Sequence, residues 1–197
     1  MTSKTQTVMN DMRYSLQQVE KAKPIIKQLL NGGDIKTVEG DDNEICLMLD
    51  QTCGTDYFQV YGANDGEKNG LVWGIGSRFQ KTWHNCQPFN TFTIRRSRES
   101  GAKTEFEKRE YAMKHGGIYP YLTMHGYYDE QTGEILSLAI AQTKDIWDFI
   151  KNGYAKERHT GDNQIGQAAF YYIGWNEFKK RGYNIKIYQK CAQKNEV

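Results

Sequence analysis

Apolar and polar positions along the chain alternate between two periods. From Met9 to Leu30 the residues Met12, Leu16, Val19, Ile26, Leu29 and Leu30 recur mostly at three- and four-residue spacings, which predicts an amphipathic helix. Pro24 predicts a kink near Lys23 or two abutting helices, and Gly32-Gly33 predicts the stop. After an acidic linker, Glu39 to Glu44, the continuous apolar run Ile45 to Leu49 has the length of a buried strand. Tyr57 to Tyr61 and Leu71 to Phe79, separated by the turn-rich GANDGEKNG, predict a hairpin. Within it, Gly74 and Gly76 mark a bulge or a close approach of another backbone or a ligand.

Farther on, Thr91 to Arg96 predicts a strand that ends in a basic cluster, and Thr104 with Glu107 forms a capping-box pattern opening a helix to about His115. Ile118 to Tyr128, the turn DEQTG and Glu134 to Ala141 predict a second hairpin. A short helix is expected from Thr143 to Ile150 and a longer one from Asp162 to Arg181, on the stripe Ile165, Ala168, Ala169, Tyr172, Ile173 and Phe178. Ile185 to Tyr188 predicts a last strand, and the final residues a tail. Such mixed order predicts an α+β fold of α/β type, a mixed central sheet flanked by helices. At 197 residues the expectation is one domain, its core over 9–128 and a C-terminal hairpin and helices over 129–190.

Composition narrows the class. Aromatic residues make up 13% of the chain, so much of the apolar surface comes from rings with a polar end. No apolar run is long enough for a membrane span and the N-terminus lacks a signal-peptide core, so a cytoplasmic protein is expected. Cys46, Cys53, Cys86 and Cys191 form no C-x-x-C pair, which predicts free thiols. His84, His115, His125 and His159 show no metal-ligand spacing and read as ordinary surface or hairpin residues. The formal charge of +2 is small, but Arg78 to Glu110 holds eight Lys and Arg against four Glu, a local excess of four. Arg95, Arg96, Arg98 and Lys103, with Trp83, Phe89 and Phe92 nearby, have the composition of a nucleic-acid contact, guanidiniums for phosphates and rings for bases.

The order helix, three strands, helix, strand over about Met9 to Tyr128 resembles the core of the PD-(D/E)XK, restriction-endonuclease-like nucleases, with the strand at Thr91 as an insertion. Gly54-Thr55-Asp56 looks like that superfamily's motif Asp, and Gly76-Ser77-Arg78 stands where its Glu-x-Lys would be, matching only in the cation. The resemblance implies Mg²⁺-dependent hydrolysis of DNA phosphodiesters. Asp56 is then the principal metal ligand, Arg78 the phosphate contact, and the second carboxylate comes from Asp50, Glu20 or Asp11, with Glu105 also available. A rival placing of the second motif is Gln142-Thr143-Lys144. Because Gly76 occupies the second acid's place, the alternative is a non-catalytic protein that binds nucleic acid or a protein partner, such as a phage or mobile-element accessory or inhibitor protein.

Overall fold

The computed structural model describes residues 17–18, 20–38, 43–84, 86–98, 101, 103–159 and 168–190. Its architecture is the mixed α+β arrangement expected: a six-stranded mixed sheet, a separate three-stranded sheet, and helices against them. The first helix, α1, is continuous over 20–30 and passes through Pro24. Asn31, Gly32 and Gly33, all at positive φ, turn the chain into β1 (Asp34–Thr37), which the sequence pattern did not reveal.

The apolar run at Ile45 is not a strand. Asn43 accepts the Ile45 N–H at 3.0 Å and opens α2 (Glu44–Met48), which widens into a π-helical turn (Leu49–Cys53) and stops at Gly54, φ 66°. Ile45 and Met48 are exposed. Five apolar residues in a row are compatible with either element, and here the local cap decides.

β2 (Tyr57–Val60) pairs antiparallel with β1 and with β3 (Val72–Thr82). The chain then leaves for the second sheet as β4 (Thr91–Arg98) and enters α3 (Glu105–His115) through the complete capping box of Thr104 and Glu107. It returns as β5 (Leu122–Asp129), parallel to β3. A hairpin leads to β6 (Ile135–Gln142), α4 (Thr143–Lys151) covers the sheet, and β9 (Ile185–Gln189) closes its far edge in the order β1-β2-β3-β5-β6-β9.

The helix expected from Asp162 to Arg181 is also corrected. Residues 160–167 lie outside the described set; the rest forms β8 (Ala168–Gly174) and a short α5 (Trp175–Lys180). Between β4 and the exposed edge strand β7 (Lys156–His159), β8 is the middle of the second sheet. Its run of β-branched and aromatic residues suits a strand once two partners are present, and tertiary pairing overrides a weak helical stripe.

Alternation along β5 and β6 divides two cores. Met124, Leu138 and Ile140 face α1, where they meet Ala22, Ile26 and Leu30 together with Tyr57 and Ile75. Tyr127, Ala139 and Ala141 face the other way, into a cluster with Trp147 and Phe149 of α4, Trp175 and Phe178 of α5, and Phe92, Ile94 and Ile173 of the second sheet. On that side the second sheet is tied to the first, since the Thr93 N–H donates to His125 Nδ1 at 3.0 Å.

Candidate nucleic-acid interface

Asp56 stands one residue before β2 and joins three strands. Its N–H donates to the Ile75 carbonyl at 2.9 Å, its own carbonyl accepts the Val38 N–H at 2.8 Å, and its carboxylate accepts the Ser77 N–H. Asp50 sits on the π-helical turn, half-buried; burial raises its carboxyl pKa, and the nearby Lys108 works against that. Glu20 is exposed on α1, paired with Lys23 at 2.6 Å. Asp11 lies outside the described residues. Among those described, no three His, Cys, Asp or Glu side chains form a group that could hold a metal ion.

The place of a second acid on β3 is instead taken by a cation. Arg109 of α3 is buried, 4% exposed, with Nη1 donating to Thr123 Oγ1 at 3.0 Å and Nη2 to the Gly54 carbonyl at 3.3 Å. Glu105 one turn earlier pairs with it at 2.7 Å. A Cβ at Gly76 would collide with this guanidinium and lie 2.8 Å from the Gly54 oxygen. The close approach read from the glycines is therefore real, and what approaches is an arginine. Mg²⁺ takes oxygen ligands, and a guanidinium offers only N–H donors, so Arg109 cannot stand in for the second acid.

The predicted basic patch is divided by strand geometry. Successive side chains alternate faces, so Arg95 and Arg96 part. Arg96 pairs with Glu157 of β7 and covers the Tyr171 ring. A bulge between Arg95 and Ser97 resets the alternation, with Arg95 opposite Phe170 and Arg98 opposite Ala168, two residues apart on β8. Arg98 thus shares the Arg95 face, which an unbroken strand would forbid. Lys103 lies 5.2 Å from the Tyr111 ring centre and, like Arg98, acts on Glu107. Phe92 is fully buried and belongs to the core, whereas Trp83 and Phe89 are 71% and 82% exposed.

From β3, Arg78 joins Arg95. Its guanidinium reaches the Thr93 carbonyl at 3.4 Å and lies 5.2 Å from the centre of the Phe170 ring, which Arg95 approaches at 5.4 Å. Burial and the repulsion of Arg78 and Arg98 lower the pKa of Arg95, with Glu105 partly compensating. His125, paired in register with Arg78, is buried, and its imidazole is held well below the usual histidine range by desolvation first and then by Arg78 and Arg109.

Next to Phe170, with ring centres 6.3 Å apart, Tyr172 leads into a cleft of about 880 Å³ between β3, the second sheet and α5. Lys81, Lys156, Arg158 and Arg181 line it, along with Phe89, Tyr127, Tyr154 and Tyr172. Arg158 lies over Tyr172 at 5.5 Å and Arg181 over Tyr154 at 3.9 Å. Glu177 is the one acid among the described lining residues, and it accepts from Arg181 at 2.9 Å. Sequence reading missed Arg109, Lys156, Arg158 and Arg181. The Lys-Glu-Arg-His alternation of β7 beside a run of aromatic residues was the available signal for the middle two.

Compared with family models, curated proteins and solved structures, the chain has no match. Among the described residues no helix is long and apolar enough to cross a membrane.

Proposed function

We propose that this protein binds nucleic acid, with a preference for single strands, through the cleft and the adjoining arginine face, and that it does so without hydrolysing it. The observation that carries this reading is the interleaving of guanidinium and ring: Arg78, Phe170 and Arg95, then Arg158 over Tyr172, then Arg181 over Tyr154. Cations that track a backbone beside rings on which bases stack are the two components of sequence-tolerant strand binding. The cleft has the volume of a small-ligand pocket, which suits an extended strand and not a duplex. Exposed Phe89, which lines the cleft, extends the stacking surface.

Fluorescence anisotropy with labelled single-stranded DNA, single-stranded RNA and duplex DNA tests this. With four lysine or arginine contacts, the slope of log K against log salt is expected near about −3 for a single strand. Arg158→Glu, on an exposed edge strand where folding is little affected, should lower affinity by about tenfold or more. Absence of binding to any of the three at low salt, or unchanged affinity in Arg158→Glu, overturns the reading.

One observation favours the rival, metal-dependent hydrolysis: α1, three antiparallel strands, α3 and the parallel β5 follow the order of the PD-(D/E)XK core, with β1 serving as first strand in place of Ile45 to Leu49. Arg109 beside Gly76 weighs against it, as does the use of the Asp56 carboxylate as an acceptor for the Ser77 amide. Incubating the same labelled strands with Mg²⁺ or Mn²⁺ discriminates, since appearance of shortened products would favour hydrolysis.

A further inference from the structure

The geometry points to a site for a single phosphate dianion at the cluster of Arg78, Arg95 and Arg98, on the arginine face that adjoins the cleft. Three features argue for it. Arg78 from β3 and Arg95 from β4 converge on one ring, Phe170, and the β4 bulge turns Arg98 to the same face. Three guanidiniums from two sheets are thereby held half-buried together. Next, Nε of Arg95 and Nε of Arg98 are buried and have no hydrogen-bond partner among the described residues, although a buried donor without an acceptor is costly.

The third feature is the charge balance. Four guanidiniums, those of Arg78, Arg95, Arg98 and Arg109, face two carboxylates, Glu105 and Glu107, which leaves a surplus of two. Glu105 is already bound to Arg109, and Glu107 is occupied by the Thr104 cap, accepting its N–H at 2.8 Å. Lys103, at the rim near Glu107, adds to the surplus. His125 and Tyr127 also face Arg78, and burial disfavours the charged form of each, so the imidazole adds no positive charge and the phenol supplies no negative one. A phosphate monoester carries about −1.5 to −2 at neutral pH, whereas an internal diester carries one charge, so a surplus of two, or three with Lys103, is neutralised more fully by the monoester. Guanidinium forks also fit tetrahedral oxyanions in bidentate fashion.

Two sources share this chemistry, a terminal phosphate on a nucleic-acid strand and free phosphate or a nucleotide. The first rests on the nucleic-acid reading; the second does not. Thermal unfolding in inorganic phosphate or pyrophosphate, with chloride at matched ionic strength as control, should raise the Tm of the wild type by about 5 °C at concentrations about a hundredfold above Kd. In Arg95→Gln the rise should vanish, while the Tm without phosphate stays level or increases because a mutually repelling charge has gone. Arg95→Lys, which keeps the charge and loses the fork, should retain part of it. A wild type that phosphate leaves unshifted, or a shift equal in wild type and both variants, overturns the proposal. So does a lower phosphate-free Tm in Arg95→Gln with an unchanged phosphate increment, since Arg95 would then be only structural.

Anisotropy with paired strands that differ only in a 5′ or 3′ terminal phosphate separates the sources. Tenfold tighter binding of a phosphorylated strand, lost in Arg95→Gln, supports the terminal phosphate. Phosphate stabilisation without binding of any strand supports the free anion, and the strand-binding reading falls while the site stands. Strands bound equally with and without the terminal phosphate, by a protein that phosphate does not stabilise, leave strand binding intact and remove the site.

Discussion

On the α1 side of the six-stranded sheet, Ile26, Ile75, Met124 and Leu138 are fully buried in an apolar layer, and the chain could exchange many of them for similar residues without altering what the molecule does. On the opposite side of the same two strands, β3 and β5, the sequence alternation places Gly76, Arg78, Thr123 and His125, with Arg109 inserted from α3. The first layer gains stability from removing apolar area from water. The second holds charges at a cost, because a desolvated ion is repaid only by good pairing, and several donors here lack a described partner. Over β3 and β5 one sheet thus carries a wholly apolar layer towards α1 and, on its other face beside the Trp147 and Trp175 core, a buried polar stretch that leads to the candidate binding surface.

The largest expected effect comes from breaking the stabilising side. Ile26→Ala removes a fully buried side chain between α1 and the sheet and should lower unfolding free energy by about 2–5 kcal/mol in urea titrations. Strand affinity of the remaining folded protein should be unchanged, and a parallel loss of affinity would show that the two sides are not separable.

A smaller loss is expected where the two sides meet. Gly76→Ala places a methyl group against Arg109 and 2.8 Å from the Gly54 carbonyl, both held by neighbours, for a cost of about 1–3 kcal/mol from overpacking. The same denaturation experiment reads it. A neutral result would mean that Arg109 is free to leave its bonds to Thr123 and Gly54, and that the space beside Asp56 is open after all.

The contrast also explains how much could be read from the residues alone. Elements with local chemistry were legible: α3 from Thr104, Glu107 and the glycine at 116, and the β5–β6 hairpin from alternation and the turn at Asp129. The run Ile45 to Leu49 and the segment at Ala168 were not, since each is compatible with both helix and strand, and a cap at Asn43 or the partners β4 and β7 decide. At the candidate site, basic composition in β4 was visible, but its distribution was not. A single bulge moves Arg98 to the Arg95 face, and alternation sends Arg96 to Glu157. Arg109 carried no local signal of burial. Its complement is the absence of a side chain at Gly76, far away in sequence, so only that half of the pair, the unexplained glycine, could be noticed.

The smallest effect tests the polar side by titration. His125 accepts the Thr93 N–H through Nδ1, touches the Phe92 ring, and stands beside Arg78 and Arg109, with only the Thr91 backbone favouring its charged form. Its pKa in the folded protein is therefore depressed below the ordinary value near about 6.5 of an unfolded chain. Below that value the unfolded state binds a proton that the native state refuses, so stability falls as pH falls, by at most about 1.4 kcal/mol per unit, and is flat from this source above it. Urea titrations between pH 5 and 7 should show that slope in the wild type, about one proton's worth at the low end. His125→Asn keeps an acceptor for Thr93 and should lose the slope while being less stable at pH 7. A wild-type profile flat through this window would mean that the imidazole takes up its proton in the folded state, which two adjacent guanidiniums permit only if an anion or a carboxylate neutralises them.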